Sequence, residues 1–378
     1  MQSLYRRSFL QRTFAAALVK PAWKSPPPPS YLTELATLMR AAPVPGAVMG
    51  ALNARKLAWI APLGVRTSGS QDPVTAATLF QAASLTKQVT THAAFALRAQ
   101  GKLDFDRLLV DYLDDLPNPV ARTVTLRQVL SHSSGFPNWR NGDASKPAPD
   151  LVPAFTPGSK FQYSGEGFFY LQRILEKVSG LGFGQLVKDL VFTPLGMSSS
   201  TLVWDPETLG RTAQPHDRRG ELRKNWDKPC RALYAWAARA GKPVIALNFE
   251  DLSAAARDAG EPALPNNMRP NGASSMVTSA EDYARFLAGA IGNPELGKQQ
   301  VTINEFLGWG LGWAIERAAG HTYLWQWGDN PGFKNFVLAE PSTGNAVFVF
   351  TNGDAGARVY DRVVTHTTGH DHPAMFWL

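Results

Sequence analysis

The chain has 378 residues, 44% hydrophobic and 18% charged, a balance that excludes a disordered chain and a membrane bundle. Its net charge of +7 is scattered, with short clusters only at Arg6-Arg7, Arg218-Arg219 and Arg223-Lys224, so it offers no concentrated stripe for nucleic acid. Cys230 is the only cysteine, which excludes an intramolecular disulfide, a thiolate metal cage and a Cys-x-x-Cys redox centre.

In chain order, Tyr5-Arg6-Arg7-Ser8-Phe9-Leu10-Gln11 resembles a twin-arginine export signal and precedes the apolar stretch Phe14 to Val19. This points to a periplasmic or secreted protein; the alternative is a basic, amphipathic arm on a cytoplasmic one. Pro26 to Pro29 reads as a stiff linker, so the folded body is expected to begin near Tyr31, with residues 1–30 as signal and linker. No run of eighteen apolar residues occurs, and no transmembrane span is expected. Tyr31 to Arg40 has helical spacing, and Val48 to Leu52 and Leu57 to Ile60 flank Asn53-Ala54-Arg55 as a hairpin. Helical patterns dominate from Phe80 to about Ile291. They include Glu166 to Val178, ended by Gly180, and Ala280 to Ile291, with Thr278 and Glu281 spaced as a capping box. Period-two alternation returns at Tyr323 to Trp327, Phe333 to Glu340 and Asn345 to Thr351, with Pro341 to Gly344 as a turn. Strands at both ends with helices between imply an α+β fold: one antiparallel sheet, flanked by helices, with a helical region inserted. Within a single unit over 31–378, the sheet region is about 31–80 and 300–378, and the helical region about 81–299.

Ser84-Leu85-Thr86-Lys87 is the only Ser-x-x-Lys in the chain. Residues three apart on a helix share a face, so Ser84 Oγ and the Lys87 amine are expected to be neighbours in a first turn. A serine hydroxyl is a weak nucleophile until a base takes its proton, and a partly buried lysine can do this near neutrality. Further segments follow in order: Leu130-Ser131-His132-Ser133-Ser134-Gly135-Phe136-Pro137, Pro157-Gly158-Ser159-Lys160-Phe161-Gln162-Tyr163-Ser164 and Pro194-Leu195-Gly196-Met197. Ser274 to Asp282 and Trp309-Gly310-Leu311-Gly312-Trp313 complete the set.

This ordered set resembles the serine β-lactamase-like family of class C β-lactamases, penicillin-binding proteins, D-aminopeptidases and related esterases, from about Tyr31 to Asp354. The resemblance implies a β-lactamase/transpeptidase-like fold and an acyl-enzyme on Ser84, with Lys87 and Tyr163 sharing proton transfer; which of the two is the base stays open. It also implies an oxyanion hole from the backbone N–H groups of Ser84 and Asp329. Two positions depart from the pattern. Gly165 replaces an asparagine, and Gln326-Trp327-Gly328 replaces Lys-Thr-Gly or His-x-Gly, removing the cation and hydroxyl that bind a β-lactam or peptide carboxylate. Gln326, Trp327, Gly328, Gly165 and Trp309 are therefore the candidate substrate-binding residues, with Trp313, Trp325 and Trp139 as further aromatics around an apolar pocket.

The expected activity is that of a carboxylesterase or amidase on a small uncharged substrate, without metal or organic cofactor. The alternatives are a β-lactamase or D-alanyl carboxypeptidase that holds its carboxylate with Arg140 or Lys334, and a non-catalytic sensor or scaffold. His132 reads as part of a structural loop, Glu166 as a first-turn helix residue rather than a water-activating base, and His366 to His372 as a polar tail rather than a metal site.

Overall fold

The computed structural model describes residues 23–116, 118–119, 121–140, 150–260 and 266–378, so the twin-arginine-like segment lies outside the described residues. The strands are β1 (Gly46–Asn53), β2 (Lys56–Gly64), β3 (Phe80–Gln81), β4 (Val277–Thr278) and β5 (Val301–Thr302). They continue with β6 (Leu307–Trp309), β7 (Ala314–Ala318), β8 (His321–Asn330), β9 (Phe333–Glu340) and β10 (Asn345–Thr351). All except β3 and β4 join one antiparallel sheet, in the order β2-β1-β10-β9-β8-β7-β6-β5. The hairpin and the meander therefore lie where the alternation puts them. Chain ends meet in mid-sheet because β1 pairs with β10.

The helices are α1 (Pro29–Ala41), α2 (Thr86–Ala99), α3 (Leu126–Leu130), α4 (Gly165–Ser179), α5 (Phe183–Val187) and α6 (Pro206–Arg211). They are followed by α7 (Lys228–Arg239), α8 (Phe249–Asp258), α9 (Ala280–Ala290), α10 (Ala357–Thr368) and α11 (Pro373–Trp377). β10 shows how the sheet is clad. Val347 and Val349 pack on α1 and α10 through Leu35, Met39, Val359 and Val363, whereas Ala346, Phe348 and Phe350 face α9 and the helical region. Both faces are buried, so the strand reads as a nearly continuous apolar run. The longest described helix is α4, and no described helix is long and apolar enough to cross a membrane.

Several local expectations are corrected. α1 begins at Pro29, and Trp23 packs into the core beneath it, so the folded body starts before Tyr31. Ser84 does not open an α-helix; it sits in a 3₁₀ turn, Ala83–Leu85, that feeds α2. α9 is capped by Ser279, whose side chain accepts from Asp282 N, rather than by Thr278 and Glu281. The expected polar tail is also structured. His366 lies in α10 and stacks on Tyr31 at 3.8 Å, Gly369 ends the helix with φ +85°, and His372 is fully buried.

That buried histidine anchors α11. His372 Nδ1 is 2.6 Å from Glu316 Oε1, its Nε2 is 2.9 Å from Thr368 Oγ1, and Glu316 Oε2 accepts from Ala374 N at 2.9 Å. Removing one partner of a buried pair leaves the other polar group without compensation. Glu316→Ala is expected to lower unfolding stability by about 3–5 kcal/mol in urea titrations. A loss below about 1 kcal/mol would show that the pair holds nothing in place.

Candidate active site

The Ser84 turn is fixed from three sides. β3 pairs with β4, so Ala82 N donates to Met276 O at 2.7 Å, and Met276 N donates to Thr86 Oγ1 at 2.9 Å. Thr90 Oγ1 donates to Gly272 O at 2.7 Å, tying α2 to the same strap. Asn335 and Asn330 then reach from the sheet to Gln81 O and Gln81 Oε1. Ala83 takes φ +52°, a left-handed conformation that costs a residue bearing Cβ about 1–3 kcal/mol and persists only where the surroundings impose it. Close approach of β8 does so: a Cβ on Gly328 would lie 2.4 Å from Ala82 O, which is why glycine stands there.

Lys87 lies one turn beyond and is 1% exposed. Its Nζ donates to Ala273 O at 2.9 Å, lies 3.1 Å from Ser84 Oγ and stands 4.8 Å from the centre of the Tyr163 ring. No carboxylate pairs with it among the described residues, and burial pushes its amine down to about 7. The neutral amine keeps a lone pair for the Ser84 proton while still donating to Ala273. Tyr163 moves the other way. Burial pushes its phenol above the ordinary range, only partly offset by its hydrogen bonds to Ser84 and Gln326. Gln326 Nε2 donates to Tyr163 Oη at 3.3 Å, which leaves the phenol hydrogen for Ser84 Oγ. Ser84 Oγ thus lies between the Tyr163 phenol, which burial keeps protonated, and the Lys87 amine, whose Nζ donates to it and whose pKa burial lowers. This geometry favours Lys87 as the group that accepts a proton at neutral pH.

His132 supports Tyr163 from both sides, a role not read from the sequence. Its carbonyl accepts from Gln162 N at 2.7 Å, its Nδ1 accepts from Ser164 N at 3.0 Å, and its ring lies 4.3 Å from that of Tyr163. Burial, then the charge of Lys87, keeps the imidazole neutral, as an accepting Nδ1 requires. The signal available was the turn-forming run Ser133-Ser134-Gly135 beside it; His132 has φ +53° and Gly135 φ +76°.

A cavity of about 490 Å³ opens above Ser84, Lys87 and Tyr163. Trp139 and Trp327 form its apolar walls, Asn138, Asn266, Asn267, Ser274 and Asn330 line it with neutral polar groups, and Glu166 and Asp329 add two carboxylates. The expectation of an aromatic pocket is corrected accordingly. Trp309 is fully buried behind Tyr163 and Trp327, at ring separations of 5.9 and 6.1 Å, and Trp313 and Trp325 also belong to the core. Gln326 is buried, with its amide turned to Tyr163 and Ser84 O, and Gly328 faces Ala82; neither lines the cavity. Gly165 is covered by the indole of Trp139, which would meet a Cβ there at 2.4 Å. Trp139 therefore fills the volume that an asparagine side chain would occupy, and nothing in the sequence joins these distant positions.

Lys87 is the only cation that lines the cavity among the described residues. Arg140 is turned to Glu166, with Nε 3.2 Å from Oε2, and Lys334 is paired with Asp329 and lies 3.5 Å from Asp354. Glu166 itself stands in the first turn of α4 and accepts from Arg140 N at 3.2 Å. At the end of β8, Asn330 and Phe333 close a two-residue turn, so alternation directs the Asp329 N–H away from β9. β7 pairs with the other edge of β8 only as far as Trp325, which leaves that N–H on the edge beside the Ser84 turn.

Known proteins share the sequence family and the fold of this chain. Residues 33–367 match the beta-lactamase family. The chain is 26% identical over 326 residues to penicillin-binding protein 4 of Amycolatopsis lactamdurans, covering 82% of this chain and 81% of that protein. It is 28% identical over 329 residues to esterase EstB of Burkholderia gladioli, covering 74% and 79%. The fold matches a class C beta lactamase from Rhodobacter sphaeroides with a TM-score of 0.67 at 18% identity, over 89% of this chain and 98% of that one.

The buried amine makes the site's reactivity dependent on pH. Fluorophosphonate labelling of Ser84 is expected to accelerate as pH rises through about 7, where Lys87 loses its proton, and to lose that limb in Lys87→Met. A wild-type rate that stays flat between about pH 5.5 and 8.5 would contradict the assignment.

Proposed function

The chain belongs to the beta-lactamase family, and we propose that within it the protein is a serine hydrolase that acts as a carboxylesterase or amidase on a small uncharged substrate. The observation that carries this reading is a neutral amide, Gln326, beside the Ser84–Tyr163 pair, together with a cavity that offers no cation besides Lys87 among the described residues. A substrate carboxylate entering such a site would lose its hydration without gaining a charge-assisted partner. An ester or neutral amide carries no such cost. Trp139 supports the same reading, because its indole covers Gly165 and occupies the space where an asparagine side chain could have met a peptide or acylamino group.

Neutral Lys87 takes the Ser84 hydroxyl proton as Oγ bonds to the substrate carbonyl carbon. The carbonyl oxygen gains negative charge, and the backbone N–H groups of Ser84 and Asp329 are positioned to receive it. Collapse of this adduct breaks the bond to the leaving alcohol or amine, which recovers the proton from Lys87 directly or through Tyr163. Water then repeats the sequence against the acyl-enzyme: Lys87 removes its proton and returns it to Ser84 Oγ as the ester bond breaks, and the acid departs. Tyr163, held protonated, steadies Ser84 Oγ rather than acting as the primary base. Membership of a family that contains both an esterase and a penicillin-binding protein supports the hydrolase class; the cavity supports the choice within it.

Intact-protein mass distinguishes the readings. Wild type is expected to gain a fluorophosphonate adduct, to turn over a short-chain p-nitrophenyl ester and to react little with penicillin, whereas Ser84→Ala does none of these. Stable penicillin acylation would identify a penicillin-binding protein instead, and an unmodified wild type with every reagent would indicate a non-catalytic member. Restoring the missing cation and hydroxyl by Gln326→Lys with Trp327→Thr is expected to raise the rate of penicillin acylation by about tenfold or more. An unchanged rate would show that these two positions do not select against carboxylates.

A further inference from the structure

Trp327 is the one residue of β8 whose aromatic ring forms a wall of the cavity among the described residues. Its ring contacts are Tyr163 at 4.6 Å, Trp325 at 5.8 Å, Trp309 at 6.1 Å and Trp377 at 5.7 Å. Tyr163 precedes α4, and Trp309 and Trp325 stand on sheet strands whose registers are fixed on both sides. Trp377 comes from α11, a five-residue helix at the edge of the molecule.

Trp325 and Trp327 project from the same face of β8, two residues apart. Trp377 meets both edge-on, at 5.9 and 5.7 Å with interplanar angles of 72° and 75°, and meets Phe161 at 5.9 Å. It is a wedge against the back of the cavity wall. Its seat is specified from elsewhere, because Glu316 on β7 holds both His372 and Ala374 N just before it. A five-residue helix has little stability of its own, so this buried anchor accounts for its order.

Resting on the esterase reading above, we propose that Trp377 is a positioning residue that sets how large a substrate group the site accepts against Trp327. With Trp377 in place the Trp327 indole cannot retreat from the cavity. With a small side chain at 377, it can swing into the vacated space and enlarge the site. Trp377 touches no reacting atom; it acts through Trp327.

The test compares wild type with Trp377→Ala and Trp377→Phe on two substrate sets. One is p-nitrophenyl esters of increasing acyl length; the other is acetate esters of alcohols of increasing size. In one of the two sets, Trp377→Ala is expected to raise the kcat/KM ratio of the largest to the smallest substrate by about tenfold or more, mainly through KM. Trp377→Phe, which retains a ring, is expected to return most of the wild-type ratio. Parallel losses across both sets, or unchanged ratios in both, would overturn the proposal. Should Trp377→Ala fail to fold, Trp377→Leu takes its place: an unchanged profile overturns the proposal, and a shift in the same direction supports it. Fluorophosphonate labelling of wild type separates the two levels. Its absence removes the esterase reading and this inference together, whereas labelled Ser84 with unshifted profiles removes only the role of Trp377.

Discussion

A lysine amine removed from water, with no carboxylate paired to it among the described residues, is the constraint around which this molecule is arranged. Moving that amine from its ordinary 10.5 to about 7 represents on the order of 5 kcal/mol of differential solvation. The fold sustains this with packing elsewhere. α2 is clamped along the Gly272 to Thr278 strap, and the sheet reaches the same turn through Asn330 and Asn335. The single carbonyl of Ala273 satisfies one amine hydrogen without restoring the positive charge. A carboxylate at that position would stabilise the protonated amine and remove its capacity to act as a base.

The same economy of charge extends to Tyr163. A second cation beside the phenol would favour its ionised form, and Gln326 supplies a hydrogen bond without one. Burial thus raises the Tyr163 phenol while it lowers the Lys87 amine, and the proposed division of roles rests on that contrast. Gln326 therefore places a neutral amide, rather than a cation, beside the phenol and the Ser84 carbonyl. Gly165 and Trp139 form a similarly coupled pair: the indole is admitted only because glycine leaves space for it. Both departures leave Lys87 Nζ 3.1 Å from Ser84 Oγ.

What the sequence discloses and what it conceals divides along physical lines. Ser84 and Lys87 are joined by local spacing, and β9 and β10 stand out as short apolar runs on either side of the Pro341 to Gly344 turn, so both were legible. The α4 terminus was legible because Gly180 supplies the left-handed cap that ends a helix there. Trp309 was misplaced because a tryptophan in a strand can serve a cavity or a core with the same local pattern. Its burial follows from Phe161, Tyr163 and Trp325 converging on it from distant parts of the chain. The hold of His132 on both neighbours of Tyr163 was hidden for the same reason. The histidine-rich C-terminal stretch looked like a solvated tail because its partner, Glu316, lies on another strand.

A direct observation of the Lys87 protonation state addresses the whole account. Protein labelled with ¹³C at lysine Cε, assigned by comparison with Lys87→Met, gives a resonance whose chemical shift follows the amine through a pH titration. A midpoint near 7 is the result required by a desolvated amine poised to accept the Ser84 proton. A midpoint near the ordinary 10.5 would show a lysine charged throughout the neutral range, and Lys87 could then not be the base.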